Sequence, residues 1–200
     1  MRRTGSGRAL DGGKRRKGVY TVAWSGEGSE SWGGVSVTVG NKGKVKVTGT
    51  LQNGTKVTAN AQLLAGAGLD LVPISSTKQK APLAFKLWYE GSELLPDGLA
   101  KETEASKVGG LKDGLKVFCD SLPAGGVPVT VNGKKWVTVT DKTVALKLTF
   151  NPKAGTFKGS FKKGKQRATV TGVVVDGRGY GSATIKKVGT EGLIIAENDD

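Results

Sequence analysis

The residues of this chain best suited to chemistry are lysines. Residues 155–165, GTFKGSFKKGK, set Lys158, Lys162, Lys163 and Lys165 among glycines and two phenylalanines, and Arg167 follows closely. Lys42, Lys44, Lys46 and Lys56 form a similar group earlier in the chain. Cations gathered in this way can hold a polyanion, because release of its condensed counterions drives affinity. Alternation weighs on the other side. In an extended strand Phe157 and Phe161 share one face, and Lys158 and Lys162 share the opposite one. Phenylalanines that face a core cannot stack on bases. The first reading of these lysines is therefore outward filling that protects strand edges. Polyanion binding is the second.

Other chemistry is narrowly bounded. The chain of 200 residues has no histidine and one cysteine. Ser-His-Asp and Cys-His catalysis and nearly all zinc sites need histidine, so a general base would have to be a carboxylate or a lysine. Cys119 sits among apolar residues in LKVFCDSL and reads as a small buried strand residue. Asp97, Glu102, Glu104, Asp113 and Asp120 gather in the middle of the chain. Their spacing sets no two of them across a cleft, as a glycosidase would require, and no calcium-loop pattern is present. GAG at 66–68 and GRGYG at 177–181 lack the lysine and hydroxyl spacing of a phosphate loop and read as turns. No catalytic residue, metal ligand or cofactor is expected. Of Trp24, Trp32, Trp88 and Trp136, most are expected in the core or plugging a barrel end. Trp32 and Trp88 are the candidates for stacking on a ligand.

These side chains must be carried by strands. The composition is rich in glycine, at 32 residues, and the net charge is +14. Period-two alternation runs through GGVSVTVG, GKVKVTGTL and GTKVTANAQLL, then through APLAFKLWYEG, VPVTVNGKKWVTV and TVALKLTFN. Each reads as a half-buried strand, with turns such as NKG and QNG between them. Residues 98–107, GLAKETEASK, have the composition of a short helix within an irregular connection. No stretch approaches the roughly 20 apolar residues of a membrane-spanning helix, and the start of the chain has no apolar run of the signal-peptide kind. Seven basic residues, Arg2, Arg3, Arg8, Lys14, Arg15, Arg16 and Lys17, stand against Asp11 in the first seventeen. Such a segment reads as a disordered basic arm suited to an anionic partner.

One internal repeat is visible. Gly49-Thr50-Leu51-Gln52-Asn53-Gly54 aligns with Gly159-Ser160-Phe161-Lys162-Lys163-Gly164 at an offset of 110 residues. A hairpin used twice predicts two related β units or two halves of one barrel. The organisation expected is an arm at 1–17, a first β unit at 18–91, an irregular connection at 92–114, a second β unit at 115–196 that closes the barrel, and an acidic tail at 197–200. The fold class expected is all-β, an antiparallel β-barrel or two related barrel-like halves.

Both copies also resemble a known kind of domain. WGGVSVTVGNKGKVKVTGTLQNGTKVTANAQL resembles part of a β-barrel-like repeat domain of large predicted surface proteins of planctomycete and verrucomicrobial bacteria. FNPKAGTFKGSFKKGKQRATVTGVVVDGRGYGSA resembles the closing segment of the same units, with Gly179-Tyr180-Gly181 in place of its Gly-Tyr-Gly. This chain departs from the pattern at Asn53, where Asp is usual, and at Trp32-Gly33-Gly34. The resemblance covers roughly residues 18–90 and 143–187 and implies a β module at the cell surface or outside the cell. It supplies no catalytic residues.

The function expected is a non-enzymatic structural or binding module in a surface or multi-subunit assembly. Protein partners or self-assembly are expected, for instance through the basic arm of one copy and the acidic end of another. The alternatives are nucleic-acid or polyanion binding through the arm and the lysine-lined hairpins, and carbohydrate binding through exposed tryptophans.

Overall fold

The computed structural model describes residues 17–25, 32–62, 64–65, 70–76, 83–90, 93–97, 102–107, 112, 114–132, 136–139 and 144–197. Expectations for the arm at residues 1–16 lie outside the described residues. Within them the chain forms strands and turns, with no helix. The first group is β1 (Gly18–Ser25), β2 (Trp32–Val39), β3 (Lys44–Thr50) and β4 (Lys56–Gln62). It is followed by β5 (Leu64–Ala65), β6 (Asp70–Ser76), β7 (Leu83–Glu90), β8 (Glu93–Asp97) and β9 (Glu102–Lys107). The last eight are β10 (Lys116–Phe118), β11 (Val127–Asn132), β12 (Trp136–Val139), β13 (Lys147–Asn151), β14 (Thr156–Lys163), β15 (Gln166–Val175), β16 (Arg178–Ile185) and β17 (Gly189–Ala196).

Strands β10 to β17 form a closed antiparallel barrel by themselves. Each pairs with its sequence neighbour, and β17 returns to β10 through Lys116↔Ala196, Val117↔Ile195 and Phe118↔Ile194. The apolar run Leu193-Ile194-Ile195 lies in the strand whose ladder seals the barrel. Closure buries Leu193 and Ile195 inside and removes two free strand edges. The interior is filled by side chains, as expected of eight strands. Phe161, Leu148, Ile185, Leu193 and Ile195 are all fully buried there. Leu146, Leu148 and Phe150 face inward as their alternation predicts.

The first unit follows the same plan in looser form. Its main sheet has the order β4-β3-β2-β1-β9, with β9 returning to β1 from Tyr20↔Lys107 to Ser25↔Glu102. β5 to β8 form a second sheet. β6 lies beside β4, and β8 lies beside β9, but no ladder joins either pair among the described residues. Val22, Val35, Val37 and Val47 are completely buried on one face of the main sheet. Residues 98–107, expected as a short helix in an irregular connection, instead contribute β9, and β8 precedes it. A ten-residue helix is marginal in water. The buried strand β1, by contrast, has an edge whose backbone groups need partners, and β9 supplies them.

The two units meet along a seam. Ala23 of the sheet packs against Val173, Val175 and Tyr180 on the outside of the barrel. Thr21 Oγ1 donates a buried hydrogen bond of 2.5 Å to the carbonyl of Val174. The Trp32 ring lies 4.6 Å from that of Tyr180, tilted by 45°. Gly34 has no room for a side chain, since a Cβ there would lie 2.7 Å from a Val173 methyl. Two three-residue motifs singled out in the sequence, Trp32-Gly33-Gly34 and Gly179-Tyr180-Gly181, therefore face each other across this seam.

Candidate functional site

The repeated hairpin is reproduced in three dimensions. β3 and β14 are its first strands, β4 and β15 its second. Gly49 and Gly159 occupy equivalent places where the preceding strand passes too close for any Cβ. One at Gly49 would lie 2.1 Å from the Gly34 carbonyl oxygen, and one at Gly159 2.0 Å from that of Lys147. Leu51 and Phe161, two residues on, are both buried. Gly54 and Gly164 both turn with positive φ, at 77° and 59°, in the left-handed region that glycine enters without strain.

The side chains that alternate with these apolar ones point outward. On β3 and β4 the outward cross-strand pairs are Lys44↔Gln62, Lys46↔Asn60, Thr48↔Thr58 and Thr50↔Lys56. On the barrel, Lys158 stands between Thr149 and Thr171, and Lys162 stands opposite Arg167. Arg167 donates a hydrogen bond of 2.9 Å to Ser160 Oγ. Lys44, Lys46, Lys56, Lys158, Lys162 and Arg167 are all exposed.

The seam turns these two outward faces toward one another. They diverge into a groove of about 370 Å³ with Lys56, Thr48 and Thr58 on one wall and Lys158, Thr156 and Thr171 on the other. A second, wider depression of about 710 Å³ continues along the same face of β3 and β4, past Lys46 and Asn60 to Lys44 and Gln62. Among the described residues neither lining contains a carboxylate, and the one aromatic residue bordering the groove, Phe157, is buried in the barrel core. The described residues of the site thus offer ammonium groups, hydroxyls and amides, and no exposed ring.

A different polar cluster occupies one mouth of the barrel. Glu191 has the inward phase of Leu193 and Ile195 on β17. Its carboxylate accepts from Ser121 Oγ, from the Ser121 N–H at 3.0 Å, from Cys119 Sγ at 3.2 Å and from Lys163 Nζ at 3.2 Å. Burial pushes the Glu191 carboxyl up, but these hydrogen bonds and the Lys163 charge outweigh it and hold it below the usual carboxylate range. Cys119 behaves in the opposite way. Burial, reinforced by the Glu191 charge, pushes its thiol up to about 12 against the backbone N–H of Ser121. A thiol so protonated at neutral pH is a hydrogen-bond donor and a poor nucleophile. The cluster ties the connection after β10 to β14 and β17.

The residues singled out from sequence thus separate. Lys158 borders the groove, while Lys162 and Arg167 lie farther along the same outer face of β14 and β15. Lys163, one residue out of phase, turns to Glu191 at the mouth. Lys165 is exposed in the two-residue turn Gly164-Lys165, and Lys17 is exposed just before β1. Arg2, Arg3, Arg8, Lys14, Arg15 and Arg16 lie outside the described residues. Trp32 is half-buried against Tyr180. The backbone of Trp88 pairs with Leu95 in the β7–β8 ladder. Sequence reasoning did not single out Thr48, Thr58, Thr156, Thr171 or Asn60, nor Glu191. Threonine in an outward phase reads as ordinary strand surface, and the walls of the groove come from segments about 110 residues apart. No protein-family model matches the chain, and the searches of curated proteins and of solved structures gave no match.

Proposed function

We propose that this chain is a non-enzymatic binding module of two β units, serving a larger surface or multi-subunit assembly and engaging an anionic partner through one basic face. The observation that carries the reading is the convergence of the two lysine-bearing hairpins on one groove, whose lining among the described residues holds no carboxylate. A face of one sign between low-dielectric walls concentrates oppositely charged ligands. Absence of histidine from the chain, the protonated Cys119 and the fully engaged Glu191 support binding over turnover.

Passage of the protein over sulfated dextran beads and over neutral dextran beads tests this reading. Retention on the sulfated beads alone, released as salt is raised, is expected. Equal behaviour on both matrices at low salt removes the reading.

A further inference from the structure

We infer that the groove between β3–β4 and β14–β15 is the binding site for a single extended chain of acidic polysaccharide, its uronate or sulfate groups on Lys56 and Lys158 and its hydroxyls on the threonines. This inference rests on the anionic-partner reading and adds a location and a ligand class to it.

Shape is the first argument. The outward face of β3 runs from Thr50 to Lys44, about 20 Å at ~3.4 Å per residue, so the groove and its continuation form a track for an extended polymer. Its cross-strand steps carry, in order, Lys56 beside the buried Thr50, two threonines, a lysine with an asparagine, and a lysine with a glutamine. Cations therefore recur along the track with neutral donors and acceptors between them. Lys158 and Thr171 close the groove from the barrel side.

Chemistry is the second argument. Single-stranded nucleic acid is ordinarily held by aromatic stacking platforms beside a basic groove. Here Phe157 and Phe161 are turned into the barrel core and Trp24 into the sheet core. Neutral sugars use exposed rings in the same way, and among the described residues none lines this groove. An acidic polysaccharide needs neither. Its charges match ammonium groups, and its many hydroxyls match threonine hydroxyls and side-chain amides, each of which can both donate and accept.

The test uses the full chain and a fluorescently labelled heparin oligosaccharide, with polygalacturonate and single-stranded DNA as competitors. Lys56→Glu and Lys158→Glu are each expected to weaken heparin binding roughly tenfold, the loss of an exposed ion pair plus new repulsion. Lys116→Glu, on β10 at the opposite wall of the barrel from β14, is expected to leave it unchanged. Lys56→Gln and Lys158→Gln should give intermediate losses with unaltered thermal unfolding, so that weakened binding is not misread as misfolding. Polygalacturonate should displace the probe, and DNA of equal charge should do so poorly. Wild-type affinity in the Lys56→Glu, Lys158→Glu double variant would overturn the location while leaving the anionic-partner reading intact. DNA displacing the probe better than polygalacturonate would overturn the ligand class. No binding of any of the three at low salt would remove the anionic-partner reading itself.

Discussion

The same hairpin is used twice in this molecule under different mechanical conditions. In the barrel, β14 is gripped by β13 and β15 within a ring that has no free edge. In the first unit, β3 is gripped by β2 and β4, but no ladder joins β4 to β6 among the described residues. The inward residue is Phe161 in the closed copy, 1% exposed, and Leu51 in the open copy, 8% exposed. Closure thus goes with a larger and more completely buried anchor. Outward, the two copies are alike, each with lysines beside small hydroxylated residues. The inward face answers to local topology, whereas the outward faces of both copies border the groove between them.

Five substitutions challenge this contrast, beginning with the largest effect. Gly159→Val drives a Cβ into the Lys147 carbonyl inside a ring that cannot spread. It is expected to cost more than about 4 kcal/mol in urea unfolding. Gly49→Val makes the same collision where β3 and β4 can move together, and about half that cost is expected. Equal costs at the two positions would show that closure does not stiffen the barrel copy.

The next effect concerns Glu191, which has no counterpart among the described residues of the first unit. Glu191→Gln replaces charged hydrogen bonds with neutral ones and is expected to cost about 1.5–3 kcal/mol near neutral pH. The folded protein holds this carboxyl below its ordinary 4.5, so the unfolded chain takes up a proton first as pH falls. The stabilisation is complete above the ordinary value and is lost as pH drops through the folded one. The wild type should therefore lose stability below about pH 4.5 more steeply than Glu191→Gln, as read by thermal unfolding across pH. Parallel pH profiles would contradict the geometry of the cluster.

The smallest effects lie in the seam, where two buried hydroxyls differ. Thr21 Oγ1 reaches the Val174 carbonyl, but Ser182 Oγ, completely buried, has no partner among the described residues. Thr21→Val should cost about 1 kcal/mol, while Ser182→Ala should cost nothing or stabilise slightly, because it removes a buried group left without a hydrogen bond. A shared sign for the two changes in calorimetry would mean that Thr21 does not tie the sheet to the barrel.

Much of this architecture was legible in advance. Val35, Val37, Leu148 and Phe161 announce their buried faces by simple alternation, and the offset of 110 residues announced the repeated hairpin. The run ETEASK misled, because its composition suits a helix and only the exposed edge of β1, far away in sequence, makes it β9. Nothing local reveals that the strand carrying Leu193 and Ile195 closes onto β10. The lysines were visible, and their outward phase follows from the alternation with inward-facing Phe157 and Phe161. That Lys56 and Lys158 border one groove was not visible, since it depends on how Thr21, Gly34 and Trp32 seat the sheet on the barrel.

The central claim is that both copies of the hairpin contribute charge to one site. The direct measurement is the dependence of heparin-oligosaccharide affinity on salt for the wild type, Lys56→Gln, Lys158→Gln and the double variant. Each neutralised contact lowers the slope of log affinity against log salt. The account predicts a similar reduction for each single variant and the sum of both in the double. A slope altered by only one of the two lysines, or by neither, would contradict it.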